Sequence, residues 1–498
     1  MINVKINEKR RNFMKNKLTR ILALSLVLVM SLAVLTACPP AEVKLSTDPY
    51  EGDVIYVGNT AGTTGAAAVV GIPFNFGINA ALALYNANGG FNGRTVELKT
   101  YDDASTPATS VTLMDQLIHE DNVFAIVGNV YAPCVEANLQ SLKENAVPMV
   151  YAAAGNNILF NENATSDADR AIFPVQPLNY TEGRSLIVRA FAPALDAAGN
   201  LTGGLGAAKV GVISNSVETS KAMLDGIKTE AAASLTEEQR ANIIYQEVAS
   251  DDYSAAINAL KNAGCDLVIV TVTGDAWTTV LAKMVDAGCT WSILTSYNNS
   301  SAALLNDTEI EIAGQKYKVM SATNAAALTN MKVYSQGWVN IVDVSQSYKY
   351  DGATLLPFYA ALGQVKDGGV YGFTEEYWRV AEALYNYGIA SGLDPATAFA
   401  RSYDAYALAG YIAGDLFCQG LAKLQESGKE LTRANYVEIM ENNDFKVCMG
   451  DTISYRDGKR VGVEAFSLTY LFGYNGMATS TSITSGVSTL EDLKGLLK

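Results

Sequence analysis

Few residues in this chain have the types and spacing that covalent chemistry needs. His119 is its only histidine, and it ends a helical pattern beside Glu120 and Asp121, where a solvated terminus explains it better than a general base. Asp102 and Asp103 are adjacent. Neighbouring residues rarely converge on one bond, so the pair reads as a strand-end turn or a cleft rim and not as acid–base machinery. Gly62-Thr63-Thr64-Gly65 has the glycines of a phosphate loop without its lysine, which leaves nucleotide hydrolysis unsupported. The six cysteines show no C-x-x-C spacing and no zinc pattern. A surface enzyme such as an amidase would need a nucleophile–base constellation that the sequence does not display. The chain is therefore expected to bind and not to catalyse, with no cofactor and no metal.

Neutral hydrogen-bonding chemistry is abundant by contrast. Six segments, 59–66, 129–134, 152–157, 215–219, 271–277 and 295–299, each follow a short β-branched run and are rich in Gly, Ala, Ser, Thr and Asn. These residues let a backbone approach a ligand closely and supply uncharged donors and acceptors. Thr64 belongs to the first segment, and Tyr131, Tyr151, Trp277 and Tyr297 add aromatic faces to the others. Tyrosines at helical spacing in 377–387 and 403–411 read as packing.

Such segments need a scaffold that turns them to one place. β-branched runs near residues 54–58, 96–101, 124–128 and 148–151 alternate with Ala- and Leu-rich helical patterns near 72–86, 107–119 and 135–145. The pattern restarts after Pro177, with strands expected near 209–214, 243–247, 266–271 and 291–294 and helices near 181–191, 219–231, 253–263 and 277–287. Alternation of this kind predicts an α/β fold with parallel sheets, and the restart predicts two Rossmann-like lobes with a cleft between them. In open parallel sheets ligands bind at the carboxyl ends of strands, where helix N-termini begin, and those are the six segments. Residues 194–205 read as a Gly-rich surface insertion. Helices are expected at 375–391, 403–427 and 432–442, followed by a hairpin over 449–460 that turns at Arg456-Asp457-Gly458-Lys459.

The first 37 residues have another character. Seven basic side chains precede or flank an apolar run from Ile21 to Val34, too short for the ~20 residues that span a bilayer, so the segment reads as an export signal that is removed. Met14 offers a second possible start. Leu35-Thr36-Ala37-Cys38 resembles a bacterial lipobox, which implies that Cys38 is lipidated and anchors the chain to the outer face of the cell membrane, with residues 38–50 as a tether. No later stretch of ~18 unbroken apolar residues follows, so a transport role would need a separate permease. The leader's seven basic residues and one acidic residue leave 29 basic against 50 acidic ones, a charge near −21, which disfavours nucleic acid and anionic lipid heads as partners. Cys134, Cys265, Cys289, Cys418 and Cys448 then form an odd set. Cys265 and Cys289 each follow Ala-Gly and open an apolar run, which leaves a bridge between neighbouring strands or two buried thiols open.

An ordered set of motifs sharpens this reading. Gly62 to Ala66, Gly71, Gly77, Asn86-Ala87-Asn88-Gly89-Gly90-Phe91-Asn92-Gly93-Arg94, Tyr101 to Ser105 with Pro107, Phe124 to Gly128, Val147-Pro148-Met149, Phe173-Pro174, Ala287-Gly288 and Tyr403-Asp404-Ala405 resemble, in order, the leucine/isoleucine/valine-binding protein family with its type I periplasmic-binding-protein fold. The resemblance implies two lobes joined by a three-crossover hinge, with residues 51–177 and 321–445 in lobe 1 and 178–320 and 446–498 in lobe 2. It also implies capture of an amino acid or related small solute for an ABC permease and its ATPase; a ligand-sensing receptor subunit of the same fold is the alternative. The family's first-lobe hydroxyls fall here on Ala132, Pro133 and Cys134, and its small loop on Ala153, Ala154 and Gly155. Its second-lobe tyrosines fall on Thr219 and near Thr273, and its acidic group near Tyr297, with Glu218 and Asp275 close enough to substitute. The missing hydroxyls put an amino-acid ligand in question.

Overall fold

The computed structural model describes residues 43–300, 304–312, 315–348, 365–366, 369–474, 477–483 and 486–498. The expected leader, Cys38 and the first part of the tether lie outside the described residues. The account below concerns the compact unit Leu45–Lys498.

The first series of apolar runs forms β1 (Val54–Ala61), β2 (Thr95–Asp102), β3 (Ala125–Val130), β4 (Met149–Ala153) and β5 (Ile172–Phe173). They make one parallel sheet in the order β2-β1-β3-β4-β5. β3 is buried along its whole length, as a strand covered on both faces must be. Helices Pro107–His119 and Ala132–Glu144 cover one face, where Met114, Leu117, Val135 and Leu142 join Ile126 and Met149. Helices Ala68–Ala87 and Ala405–Glu426 cover the other; Phe417 meets Phe124 edge to face at 6.3 Å.

Helix Ala68–Ala87 is long and apolar enough to cross a membrane by length and composition, yet half of its most apolar window is buried inside the protein. Its hydropathy serves the contact with helix Ala405–Glu426. A side chain on Gly77 would strike the Ala407 carbonyl oxygen, and one on Gly410 would strike the Phe74 carbonyl oxygen, so these two glycines set how closely the backbones approach.

The second series begins with helix Asn179–Phe191 and gives β6 (Val210–Asn215), β7 (Ile243–Val248), β8 (Leu267–Val270) and β9 (Ser292–Thr295). A hairpin of β10 (Leu305–Ile312) and β11 (Gln315–Met320) follows, then β12 (Lys332–Gly337). β13 (Val342–Tyr348), β14 (Val365–Lys366) and β15 (Gly369–Phe373) make a small antiparallel sheet. Further on, β16 (Asp444–Lys446) pairs with β17 (Thr452–Ser454), and the chain ends through β18 (Ala465–Tyr474), β19 (Met477–Ser482) and β20 (Ser488–Thr489). The second main sheet runs β7-β6-β8-β9-β12-β18-β19, with β20 on β18. Its strands alternate between two cores: Val268 and Val270 point into one, Leu267 and Ile269 into the other.

Three passages join the halves side by side. Residues 174–178 leave β5 for helix Asn179–Phe191, and Val463 N–H donates to the Val175 carbonyl at 2.8 Å. The passage expected near Met320 falls after Gly337, because β12 pairs with β9 and β18 and completes the second sheet. The passage expected near Lys446 falls after Arg460, whose guanidinium bonds Glu441 and the Arg170 carbonyl and keeps that segment on the first half. The hairpin expected over 449–460 is the β16–β17 pair instead. Asp457 and Gly458 form a left-handed turn beyond it, and the Gly458 carbonyl accepts from Ala164 N–H. Cys265 and Cys289 are free thiols buried in one core, with no bridge between them.

Alanine at Gly77 or Gly410 must push two helices apart. Each substitution is expected to destabilise the fold by about 1–3 kcal/mol, read as a lower urea midpoint at constant slope; an unchanged midpoint for both would contradict the close approach.

Candidate functional site

The loops at the carboxyl ends of the strands divide into clasped, strained and bridging ones. The β1 loop is clasped. Asp102, at the end of β2, accepts from Thr64 Oγ1 at 2.6 Å, Thr63 N–H at 2.8 Å and Ala104 N–H at 3.0 Å. The Thr64 hydroxyl first and the Thr63 amide second hold its carboxyl down to about 2, because bonds to the charged form favour it. Asp102 thus ties two loops together, while Asp103 is buried and accepts from Ser105 N–H. Beneath them Thr60, Ser110, Asn129 and Asn138 share buried side-chain bonds of 2.7–3.1 Å.

Strain marks the β3 and β4 ends. Tyr131 (φ +73°) and Tyr151 (φ +61°) are left-handed, a conformation that costs a non-glycine residue about 1–3 kcal/mol and gathers at functional sites. Tyr131 is 46% exposed at the start of helix Ala132–Glu144. Tyr151 is buried, with its ring 5.8 Å from Phe74 and 6.2 Å from Trp338. Ala132 is half-buried, and the Cys134 thiol is pushed up to about 11 by burial and by Asp103.

The β4 loop bridges the halves. Asn157 N–H donates to Glu218 Oε1 at 3.2 Å. A Cβ on Gly155 would lie 2.7 Å from Asn179 Oδ1 and 3.1 Å from the Tyr297 hydroxyl. The β4 loop therefore meets the other half through Asn157 on Glu218 and through Gly155 against Tyr297. Thr219 is half-buried beside Glu218. Thr64, Tyr131, Ala132, Thr273 and Asp275 share no hydrogen bond with the opposite half among the described residues; Thr64 and Asp275 are exposed. Trp277 is a correction. Its side chain is fully buried in the core with Tyr253, Ile257, Val280, Leu281 and Met284, because the helical repeat from Trp277 turns it under the sheet and away from the loops.

Three residues at this junction escape the sequence reading. Trp338, on the second passage, faces Tyr151. Asn179 opens the helix after the first passage, and its N–H donates to the Gly155 carbonyl at 2.8 Å. Glu182 is fully buried; its carboxylate accepts from Ser296 Oγ and Tyr297 N–H, both at 2.8 Å. The Tyr297 hydroxyl in turn donates to the Pro177 carbonyl at 3.0 Å. Burial raises Glu182 to about 7 against the two hydrogen bonds, and burial first, then Glu182, raises Tyr297 well above the usual phenol range.

Comparison with known proteins fits this geometry. A family model described as periplasmic binding protein matches residues 54–306, half of the chain. A Leu/Ile/Val-binding protein homologue of Brucella abortus is 25% identical over 226 residues, 43% of this chain and 53% of the relative, so the match spans about half the length of that curated protein. A leucine-binding protein of Thermotoga maritima superposes with a TM-score of 0.55 at 15% identity, over 88% of this chain and 100% of its own. A solute-binding protein of an ABC transporter from Rhodopseudomonas palustris, solved with 3,4-dihydroxybenzoic acid, gives 0.53 at 17% identity, over 88% and 99%. At these identities the structures establish a shared fold.

Glu182 yields a pH test. Its carboxyl titrates near 4.5 when unfolded and about 7 when folded, so the folded state holds the proton more tightly. Its stabilising contribution is full below 4.5 and is lost as pH rises through about 7, a difference on the order of 3 kcal/mol. Thermal melts across that window should show the native chain losing stability relative to Glu182→Gln as pH rises; parallel profiles would sink the assignment.

Proposed function

We propose, for a chain that belongs to the periplasmic binding protein family, that it captures a small organic solute between the facing strand ends and delivers it to an ABC permease. The family is one of binding proteins and not of enzymes, and its members work outside the cytoplasm. The observation that carries the reading is the bridging β4 loop: Asn157 reaches Glu218, and Gly155 lies against Asn179 and Tyr297, beside three passages able to act as a hinge. A solute entering there would replace these contacts and be clamped as the halves close. Ala132, Ala153, Ala154, Gly155, Thr219, Thr273 and Tyr297 line or approach that space, with Tyr131, Thr64, Glu218 and Asp275 on its rim. Ligands differ among proteins of this fold: the names of two relatives carry leucine and a dihydroxybenzoate. Lipidation of Cys38 would keep the protein beside its permease and cost it only diffusion in the membrane plane.

Calorimetry of the mature chain against amino acids, amides, peptides and aromatic acids should find a ligand, and Glu218→Ala or Tyr131→Ala should weaken it about tenfold, near 1.4 kcal/mol, without unfolding the protein. Silence across a broad panel with folded protein would count heavily against solute capture. Cys38→Ser should abolish incorporation of labelled fatty acid and release the chain from membranes; continued labelling would exclude Cys38 as the anchor.

A further inference from the structure

The junction between the halves holds polar atoms that the fold does not use. Asn179 is 1% exposed, and neither its Oδ1 nor its Nδ2 has a partner; Asn156 is 5% exposed, and its Oδ1 is likewise unpaired. Leaving such a buried group without a bond is unfavourable, and folded proteins keep few of them. Asn179 sits against the loop that carries Asn156: its N–H bonds the Gly155 carbonyl and its Oδ1 crowds the Cβ position of Gly155. Glycine at 155 leaves the Asn179 amide uncovered by any side chain from that loop.

The surroundings restrict what those amides would read. The six strand-end segments hold no lysine, arginine or histidine. Among the described residues the acids at the junction are Glu182, held by Ser296 and Tyr297, with Glu218 and Asp275 on the rim. A carboxylate or phosphate here would meet the rim acids as like charge and no cation from the six strand-end segments. An ammonium would suit the acids but leave the Asn179 Nδ2 donor unmatched. A neutral carboxamide offers one acceptor and one donor side by side, the complement of the asparagine amide, and the Tyr151 and Trp338 rings supply an apolar wall for its body.

We infer that this cleft selects an uncharged, amide-bearing solute, a primary carboxamide, urea or lactam, through the side-chain amide of Asn179. The inference rests on the solute-capture reading and narrows it. In the arrangement described, Gly155 and Tyr297 lie against Asn179, so the solute meets its amide when the halves part, replaces these contacts and is clamped as the halves close.

The test is calorimetry with phenylacetamide, phenylacetate, phenethylamine and leucine on the native mature chain and on Asn179→Ala, with melting temperatures for both. Phenylacetamide should bind at least tenfold more tightly than the acid or the amine. Asn179→Ala should remove that preference while leaving the melting temperature unchanged or higher, because the amide makes no bond in the fold. Tighter binding of phenylacetate, phenethylamine or leucine, insensitive to Asn179→Ala, would overturn the amide class and leave solute capture standing. A lower melting temperature with unchanged amide affinity would make Asn179 structural and overturn it equally. No binding by any probe, or by the wider panel, would defeat both readings.

Discussion

Everything in this molecule follows from the need to cover both faces of parallel sheets. A strand buried on two sides has no face left for water, so β3 is buried throughout, with Asn129 its one polar side chain, and helices pack above and below it. Once both faces are closed, only the strand ends remain open to polar chemistry. The carboxyl ends carry loops that lead into helix N-termini, and the three neighbouring passages bring two sets of such ends together. The site is thus a by-product of the covering rule, placed before any particular side chain is chosen.

That placement demands polar residues in a nearly dry junction, and two solutions coexist there. The Thr60–Ser110–Asn129–Asn138 network is closed on itself and stiffens the floor of the first half. Glu182 takes the other route, a carboxylate without a cation that holds the 296–297 backbone in place. It couples the first passage to Tyr297, and through Tyr297 to Gly155. A change of charge at one buried atom pair therefore reaches the contact between the halves.

The sequence disclosed the sheets more readily than the site. β1, β3, β6 and β8 were legible because double-sided burial writes itself as an unbroken apolar run. β12 was not, since Lys332-Val333-Tyr334-Ser335-Gln336-Gly337 buries two polar residues; Ser335 bonds the Ser296 carbonyl and Gln336 bonds Ser185, partners far away in the chain. Missing β12 moved the second passage. Strand-end reasoning singled out the 152–157 loop, Glu218 and Tyr297, which lie together in the fold, yet it took Trp277 for a cleft aromatic although its spacing to Val280, Leu281 and Met284 already described a core face. Asn179 and Glu182 look like any exposed first turn, and only the neighbouring passage buries them.

The cysteines carry a consequence for the compartment in which the family works. All five described thiols are unpaired, four of them buried and Cys448 half-buried. Desolvation raises Cys134, Cys265, Cys289, Cys418 and Cys448 alike. Disulfide exchange proceeds through the thiolate, so thiols kept protonated and sealed react slowly even where oxidants abound. The five described thiols are thus held toward their less reactive protonated form, and burial keeps four of them from a partner in solution.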